Sequence, residues 1–479
     1  MAAGTERDIT PAQQDEWLWG WDPTPGIVSV WADRHGSALV WRRAAGGGPL
    51  VRERERFRPW LLLPTLDDLA HLGDRLVPEG SDAALLPNRV AHRELDGAGH
   101  LRHVVSAADG HALEAAVLRG ASARLGHTLA RLTELGEDEC LCLPPEEQYL
   151  VATGRTSFRE LAFDDLHRLQ FDLETTGLDA SHDAMFLVSV RDNRGLETVL
   201  DVGDAGITAA AEADLIRRLA ALIREHDPDV IENHNLHGFD LPFLVRRAEL
   251  RNVPLALGRA GAPGLARRGA ARGYGPSRGE PGEGDGDARE TPGRYTIPGR
   301  EAIDTLDAVR RYDFAARNLP GHGLKAVARH FGLASADREY VEGAQIYTTW
   351  LRDPERVRRY ALDDVREVDG LARLLGGAAF ALARMAPRRY ERLADAGPAT
   401  GILDPLIVRA YLRTGAALPA HATGDGTSHT GAALYLFAAG VAQRVVKAVV
   451  SSLYPSLMRQ DRISPRPDRL GVLLALVDR

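Results

Sequence analysis

Apolar runs near the start of the chain predict β-strands. Residues 27–32 are rich in β-branched and aromatic side chains, and after a Gly-containing turn residues 38–41 form a second apolar run. This arrangement predicts a β-hairpin. The apolar run 60–63 predicts a further strand. We expect residues 1–155 to form a mostly β, non-catalytic N-terminal domain.

From about residue 165 the pattern changes to strands that are followed by amphipathic helices. The strand candidates are residues 169–174, 186–190, 197–200 and 230–231, and residues 302–306 are expected to be a strand end that runs into a helix. The helix candidates are 211–225, 324–331 and 354–375. In the helix candidates apolar residues recur at intervals of three and four, and Pro354 stands in a first turn. Such an order predicts an α/β domain with a mixed central sheet over residues 156–380, followed by a further region, 381–479.

A segment at about 258–296 interrupts this domain. It is dense in Gly, Arg and Pro and has few large aliphatic residues. Its composition cannot bury enough apolar surface to offset the entropy of ordering, so we expect a disordered insertion. Its basic first half can contact phosphates, although a solvated surface loop is the commoner use of such a composition.

Composition and charge exclude several classes of protein. The 479 residues carry a formal charge of −8, which argues against a polycation of the histone or ribosomal type, and Lys325 and Lys447 are the only lysines. The two cysteines, Cys140 and Cys142, cannot form a disulfide scaffold or a tetrahedral zinc site by themselves. The chain shows no secretory signal and no apolar run long enough to cross a bilayer. We therefore expect a soluble, cytoplasmic protein without a membrane partner.

Four acidic residues and one tyrosine form the candidate chemistry. Asp172 and Glu174 are two apart on a predicted strand, so both point to the same face, and Asp240 follows a short strand. Tyr360 and Asp364 are four apart on a predicted helix, which places them one above the other. Two divalent cations about 3.5–4 Å apart need several anionic oxygens that converge from different elements. Carboxylates are the ligands that Mg²⁺ and Mn²⁺ prefer.

The order of these residues carries a family resemblance. The chain reads Phe-Asp-Leu-Glu-Thr-Thr-Gly at 171–177, Asn-x3-Phe-Asp at 235–240 and Tyr-x3-Asp at 360–364. These segments resemble the Exo I, Exo II and Exo III motifs of the 3′–5′ exonuclease domain of family B DNA polymerases. That domain is a ribonuclease-H-like exonuclease of the type with four acidic residues and a tyrosine.

The resemblance implies a role for each residue. Asp172, Glu174, Asp240 and Asp364 would hold two Mg²⁺ or Mn²⁺ ions, and Tyr360 would orient the attacking water. The residues that would seat the terminal nucleotide and the unpaired strand are Thr175, Thr176, Gly177, Asn235 and Phe239. The implied partner is DNA, with single-stranded or frayed 3′ ends.

Further polar residues near the motifs have more than one reading. Asp304 matches an acid often found after the Exo II region and either supports the site or caps a helix. Asp363 projects about 100° away from Asp364 on the helix and is not expected to be a ligand. His234 and His237 flank the Exo II turn, where a surface or phosphate contact is more common than metal ligation.

The segment 451–458 resembles motif A of the family B polymerase palm, with Ser452 and Tyr454 among its matching residues. In the family an aspartate that carries both catalytic metals stands at the position of Val449, and an isopropyl group cannot ligate Mg²⁺. The Asp-Thr-Asp motif that supplies the other polymerase ligand is absent from the sequence as well. We therefore expect a degenerate palm start and no DNA synthesis. An apolar run at 472–477 would form an exposed edge of such a palm remnant, unless it packs on the exonuclease domain or a partner chain covers it, and the sequence does not decide between these possibilities.

Three readings of the function remain at this point. The first is a metal-dependent 3′–5′ exonuclease related to family B polymerases, and the second is a non-catalytic nucleic-acid-binding or assembly subunit derived from one. The third, a fragment of an active polymerase, is opposed by Val449. An RNA substrate stays open, because no motif reads the 2′-hydroxyl. The sequence names no protein partner.

Overall fold

The protein is described by a computed structural model that covers residues 9–136, 138–203, 206–261, 264–268, 293–397, 399–419, 435–441, 443–446, 448 and 450–479. Within these residues the strands are β1 (Ile27–Ala32), β2 (Ser37–Arg43), β3 (Leu50–Arg56), β4 (Trp60–Leu63), β5 (Leu76–Pro78), β6 (Val90–Glu94), β7 (His103–Ala107), β8 (Arg168–Thr175), β9 (Met185–Asp192), β10 (Glu197–Asp201), β11 (Val230–Asn233), β12 (Ala266–Arg268), β13 (Arg294–Thr296) and β14 (Glu301–Asp304).

The same described residues also form α-helices, which lie before, between and after these strands. They are α1 (Pro11–Trp19), α2 (Gly110–Leu125), α3 (Pro145–Thr153), α4 (Ala209–His226), α5 (Leu241–Leu250), α6 (Thr305–Ala316), α7 (Leu324–His330), α8 (Ile346–Trp350), α9 (Pro354–Leu375), α10 (Gly377–Ala383), α11 (Tyr390–Ala394), α12 (Asp404–Thr414), α13 (Leu453–Asp461) and α14 (Val472–Asp478). None of them is both long enough and apolar enough to cross a membrane.

The chain forms two compact units, each assembled from separate stretches of sequence. The first unit contains residues Met1–Trp17, Trp60–Cys142 and Ala410–Arg479, and the second contains Leu18–Pro59 and Leu143–Arg409. The predicted domain boundaries at residues 155 and 380 are not the boundaries of these units, and the division into three domains stays a prediction.

In the first unit a four-stranded sheet, in the order β4-β7-β6-β5, packs against α2. Leu61, Val105 and Val117 are fully or almost fully buried between them. Cys140 belongs to this core, and both cysteines are free thiols. Cys140 packs in this core as a small apolar side chain.

The second unit is built around a five-stranded mixed sheet in the order β10-β9-β8-β11-β14. β8, β9 and β10 are antiparallel neighbours, whereas β11 runs parallel to both β8 and β14. Seven of the eight residues of β9 are buried, because helices including α4 and α9 cover the sheet. The predicted α/β domain with a mixed central sheet is therefore confirmed.

The helices that border the candidate active site begin at residues that favour the start of a helix. The Asp353 carboxylate accepts the N–H of Arg356 and Pro354 stands at the first helical position, so α9 begins where the sequence analysis places it. In the same way the Asp304 carboxylate caps α6. After its first turn, α9 buries a stripe of apolar side chains that includes Val357, Ala361 and Val365.

The segment 258–296 is only partly described, and its described ends are ordered, which corrects the expected disorder. β12 and β13 pair as antiparallel strands. Arg268 forms an ion pair of 2.7 Å with Asp395, and Arg294 forms one of 2.6 Å with Asp307. Composition misled here, because these arginines find buried acidic partners that are distant in sequence. Residues 269–292 lie outside the described part.

Two other expectations need correction. Residues 472–477 form helix α14 rather than an exposed apolar edge, and Val472, Leu474 and Ala475 are buried. A six-residue run of Leu, Ala and Val suits a helix as well as a strand, so its composition does not decide between them. The sequence analysis also did not predict α2 and α3 in the N-terminal region.

Candidate active site

Strand β8 places the first two carboxylates. Asp172 and Glu174 lie in the second half of the strand and project from the same face. Glu174 is 5% exposed, and Asp172 is partly buried. The neighbouring parallel strand β11 ends at Asn233, whose Nδ2 donates a hydrogen bond of 3.2 Å to Oδ1 of Asp172.

The turn that follows β11 brings in the third carboxylate. Residues Leu236–Asp240 form a single π-helical turn directly before α5, and Asp240 is 2% exposed at its end. Asn235 enters this turn in the left-handed region with φ of 72°. A Cβ on Gly238 would stand 2.2 Å from Oδ1 of Asn235, so a larger residue there would have to displace the Asn235 side chain.

Asp304 holds the same turn from the next strand. Its carboxylate accepts the backbone N–H of Asn235 at 2.8 Å and that of His237 at 3.1 Å. It also accepts the N–H of Leu306 at 3.0 Å as the cap of α6. The two readings of Asp304 are therefore both correct: one carboxylate caps a helix and fixes the Exo II turn.

Helix α9 supplies Tyr360 and Asp364, which are 2% and 4% exposed. The helix is tied to the sheet by Arg168 of β8, which is fully buried. Its guanidinium lies 2.5 Å from Oε1 of Glu232 and 2.8 Å from Oδ1 of Asp369. This buried pairing fixes the position of α9, and with it Tyr360 and Asp364, relative to Asp172.

Three carboxylates from these elements converge. One oxygen each of Asp172, Glu174 and Asp364 lies within 4.8 Å of the other two. Asp240 is outside this group of three but borders it, because its charge raises the pKa of Glu174 and the charge of Asp172 raises the pKa of Asp240. Of the four carboxylates that the motifs predict as neighbours, three converge and the fourth, Asp240, lies beside them.

The donor set fits divalent cations that prefer oxygen ligands. Among the residues that the structure describes, Oε1 of Glu174 and Oδ1 of Asp240 are buried and have no hydrogen-bond partner. A buried carboxylate oxygen without a partner is costly, and a cation is the partner that would satisfy it. All four side chains offer the carboxylate oxygens that Mg²⁺ and Mn²⁺ prefer.

Burial and mutual repulsion raise the pKa values of the cluster. Burial, followed by the charge of Asp364, raises the pKa of Asp172 to about 7. Burial and the Asp172 charge raise the pKa values of Glu174 and Asp240 well above their usual range. Burial and the nearby carboxylates also raise the pKa of the Tyr360 phenol, which stays protonated. Two or more like charges in one buried site are stable only with a cation or a proton between them.

Two cations that the sequence analysis missed reach this cluster. The ammonium group of Lys325 on α7 donates a hydrogen bond to the Tyr360 phenolic oxygen and lies 3.7 Å from Oδ2 of Asp364. Arg338 hydrogen-bonds Oδ1 of Asp364 and donates at 2.7 Å to Glu367 and at 3.2 Å to the Tyr360 carbonyl. The composition held a signal for Lys325, because it is one of two lysines in an arginine-rich chain.

The predicted nucleotide seat lies at the end of β8. The Thr175 hydroxyl donates to the Gly177 carbonyl at 2.7 Å, and the Thr176 hydroxyl lies 3.2 Å from Asp183. A Cβ on Gly177 would stand 2.5 Å from the Asp183 carboxylate, so glycine allows the loop to close tightly. Asp183, which organises this loop, was not predicted.

The other predicted contacts of the unpaired strand lie on the Exo II turn. Asn235 is exposed, and Phe239 is half-buried with its ring 5.3 Å from that of Phe243. Asp363 stays outside the cluster and pairs with Arg366 at 3.0 Å. These positions do not test the roles that the resemblance implies.

Of the two histidines of the turn, His237 is buried and His234 is partly buried, and both rings bond neighbouring segments of the protein. His234 bonds Thr305 at 3.0 Å and the His322 carbonyl at 2.7 Å. His237 is 2% exposed and accepts the N–H of Tyr295 at 3.2 Å. Each ring forms hydrogen bonds with a neighbouring segment of the chain, and burial lowers the pKa of both imidazoles.

The palm-like segment belongs to the other unit. Ser452 lies just before α13 in the left-handed region, and Tyr454 is 74% exposed on that helix. Val449 lies outside the described residues. The predicted degenerate motif A therefore stays a prediction.

The fold and the site together define a class. A mixed five-stranded sheet with carboxylates from its central strand, from the turn after the next parallel strand and from a covering helix is the ribonuclease-H-like exonuclease architecture. A solved structure with the same fold is the family B DNA polymerase from the hyperthermophilic archaeon Pyrobaculum calidifontis. It matches with a TM-score of 0.60 and 19% identity over 94% of this chain and 59% of that one.

Sequence comparison finds similarity to family B DNA polymerases. A profile of the DNA polymerase family B exonuclease domain matches residues 191–327. The DNA polymerase of Pyrococcus glycovorans is 29% identical over 240 residues, which are 48% of this chain and 27% of the relative. That of Archaeoglobus fulgidus is 28% identical over 313 residues, or 64% and 35%. The chain thus contains an exonuclease domain of the family B DNA polymerase type, and its matches span about a quarter to a third of these relatives.

Proposed function

We propose that this protein is a metal-dependent 3′–5′ exonuclease that hydrolyses phosphodiester bonds at single-stranded or frayed DNA 3′ ends. The observation that carries the proposal is the convergence of Asp172, Glu174 and Asp364 within 4.8 Å, with Asp240 beside them. The unpartnered oxygens of Glu174 and Asp240 support two Mg²⁺ or Mn²⁺ ions as the cofactor.

The four carboxylates would hold the ions, and the scissile phosphate would bind at these ions. When bound, two such cations lower the pKa of a water molecule and neutralise charge on the scissile phosphate and the leaving 3′ oxygen. Water attacks phosphorus, the bond to the 3′ oxygen breaks, and the products are a nucleoside 5′-monophosphate and a strand shortened by one residue.

Tyr360 positions the attacking water and does not act as its base. Burial and the surrounding carboxylates raise the pKa of its phenol, so the proton stays on the oxygen near neutral pH. Lys325 donates to that same oxygen, which leaves the phenolic O–H free to point toward a water in the cleft. The Lys325 charge also lies close enough to Asp364 to stabilise a phosphate bound next to it.

The strand would lie over two loops that border the cluster. We assign Thr175, Thr176 and Gly177 to the terminal nucleotide, and Asn235 and Phe239 to the unpaired strand. The half-buried ring of Phe239 and the exposed Asn235 side chain suit stacking and hydrogen bonding to a base. DNA is the proposed substrate because the named relatives are DNA polymerases.

We also propose that the protein does not synthesise DNA. Val449 stands where the family's motif A carries its metal-binding aspartate, and a valine side chain offers no ligand. Primer extension with deoxynucleotides should therefore give no product, both with the wild type and with a variant that lacks nuclease activity.

The test is digestion of a 5′-labelled single-stranded oligonucleotide with Mg²⁺. The wild type should produce a ladder that shortens from the 3′ end and release 5′-mononucleotides. Asp172→Asn, which keeps the side-chain shape but removes a charge, should lower the rate by at least about 10³-fold. A folded wild type that leaves the oligonucleotide intact would sink the proposal.

The alternative, a non-catalytic nucleic-acid-binding or assembly subunit, makes a different prediction for metal uptake. Calorimetric titration with Mn²⁺ should show binding to the wild type that is lost in Asp172→Asn. Equal and weak uptake by both proteins would favour the binding subunit.

A further inference from the structure

Strand β3 is the edge of the three-stranded sheet β1-β2-β3, and its side chains separate by charge. Its sequence, Leu50–Arg56, alternates Arg and Glu at its last five positions. Arg52, Arg54 and Arg56 are exposed, whereas Glu53 and Glu55 are half-buried. Because successive residues of a strand point to opposite faces, the three arginines share one face.

The two glutamates are neutralised on the opposite face. Glu53 pairs with Arg42 of the adjacent strand. Glu55 accepts from Arg155 at 2.6 Å and from the Tyr149 hydroxyl at 2.7 Å. The core of this small sheet, which includes Val40 and Ala38, lies on that same side.

The arginine face has no such partners. In the described residues Arg52, Arg54 and Arg56 form no ion pair or side-chain hydrogen bond. Their direct neighbours across the strand pair are Trp41, Leu39 and Ser37, none of which is acidic. Three positive charges therefore stand in a row on a surface without a compensating carboxylate beside them.

The spacing of this row has a chemical counterpart. Alternate residues of a strand are about 6.7 Å apart. Consecutive phosphates of an extended single strand repeat at a similar distance, so each guanidinium can meet one phosphate. Arginine is suited to this because its planar fork binds phosphate through two hydrogen bonds.

The row also has a fixed place relative to the catalytic sheet, because both belong to the same compact unit. Arg43 of β2 forms a buried pair with Asp229 at 2.8 Å, and Ser29 of β1 donates to Glu301 at 2.7 Å. These bonds join the small sheet to residues beside β11 and β14.

The geometry points to the Arg52–Arg54–Arg56 row as an accessory binding track for the phosphodiester backbone of single-stranded nucleic acid. It rests on the proposed function in taking nucleic acid as the ligand, but it does not depend on hydrolysis. The contrasting role for charges on an edge strand is to prevent pairing with another sheet edge. The two roles predict different outcomes in one set of variants.

The test measures the salt dependence of binding to a fluorescent dT 20-mer by anisotropy, in buffer with a chelator so that no cleavage occurs. For single strands the plot of log affinity against log salt loses about 0.7 in slope for each phosphate contact removed. Arg54→Gln/Arg56→Gln should lower the slope by about 1.4 and the triple variant with Arg52→Gln by about 2. A variant in which the three arginines are replaced by lysine should keep most of the wild-type slope.

The matched control removes two exposed arginines elsewhere, Arg217→Gln/Arg224→Gln on α4, which like the row lack ion pairs in the described part of the chain. This variant has the same net charge as Arg54→Gln/Arg56→Gln and should bind like the wild type. An rU 20-mer should show the same losses as dT, because the contacts are to the backbone.

Several results would overturn the inference. They are an unchanged slope in the triple variant, an equal loss in the α4 control, or an equal loss for binding of a poly-glutamate peptide of matched charge. Self-association of the triple variant in sedimentation experiments, with unchanged DNA binding, would establish the edge-protecting role instead. A protein without nuclease activity that still loses slope in the triple variant would refute the proposed function and keep this inference.

Discussion

Lys325 donates a hydrogen bond to the phenolic oxygen of Tyr360, and its ammonium group lies 4.4 Å from the centre of the Tyr360 ring. The same ammonium group stands 3.7 Å from Asp364. One cation thus fixes the direction of the phenolic proton and moderates the charge of a proposed metal ligand. The pair links helix α7 to helix α9 at the edge of the carboxylate cluster.

We expect Lys325→Ala to reduce kcat by about 10²-fold, because both the orientation of Tyr360 and a positive charge next to the phosphate are lost. Lys325→Arg should recover only part of the rate, since the larger planar guanidinium cannot occupy the same point. Single-turnover digestion of a labelled oligonucleotide measures this. Arg329→Ala on the same helix is the control and should stay near the wild-type rate.

The pH dependence of stability follows from the raised pKa of Asp172. A carboxyl group with a raised pKa in the folded state stabilises the fold while it is protonated, at low pH, and this stabilisation is lost as pH rises toward about 7. Without metal, the free energy of unfolding should therefore fall between about pH 4 and 7 through this group. Mg²⁺ or Mn²⁺ should raise Tm more at pH 8 than at pH 5.

Asp172→Asn isolates this effect, because His234 and His237 have lowered pKa values and change stability in the opposite direction. In the presence of a chelator at pH 8, the variant should be more stable than the wild type by about 1–3 kcal/mol. It should also lose most of the metal-induced rise in Tm. A wild type whose Tm does not respond to metal at any pH would contradict this account.

Asp304 allows its two structural roles to be separated. Serine and asparagine are both good helix caps, so Asp304→Ser and Asp304→Asn should change the free energy of unfolding by about 1 kcal/mol or less through α6. Neither can accept both N–H groups of the Exo II turn. We expect a loss of activity of about tenfold or more in both variants, in kcat rather than KM. Wild-type activity in Asp304→Ser would show that capping is its only role.

The sequence predicts the parts of the site that are encoded locally. Helix α9 was predicted as residues 354–375 and begins and ends there, because Pro354 and regular apolar spacing define it. Asp172, Glu174 and Asp364 were predicted because they stand in ordered motifs. Their convergence needs the parallel pairing of β8 with β11, which the motif order implies only through the family.

Contacts between distant segments were not predictable in the same way. Arg338 lies in a loop without any periodic pattern, and only the fold brings it to Asp364. Asn233 is one residue of a short buried strand and carries no motif letter. The ends of the 258–296 segment are ordered by buried acids elsewhere in the chain, which composition cannot reveal. Local sequence patterns therefore predict the candidate metal ligands, whereas the residues that hold these ligands in place are identified only from the tertiary packing.

The last prediction concerns the buried guanidinium that ties α9 to β8. Arg168 is fully buried between Glu232 and Asp369. Arg168→Met would leave Glu232 without its cation, whereas Asp369 would keep ion pairs of 3.2 Å with Arg191 and Arg373. Breaking such a pair on one side costs about 3–5 kcal/mol, because a buried charge stays uncompensated. The loss should appear in urea unfolding. The nuclease rate should fall as well, because Tyr360 and Asp364 depend on the same helix for their position.

Two further variants make this prediction specific. Arg366→Met, on the outer face of α9, removes the ion pairs of an exposed arginine with Glu197 and Asp363 and should cost at most about 1 kcal/mol. Adding Glu232→Gln to Arg168→Met removes the uncompensated charge and should restore part of the stability. If Arg168→Met is no more destabilising than Arg366→Met, the buried pairing does not hold the helix, and the cluster must be positioned by the apolar stripe of α9 alone.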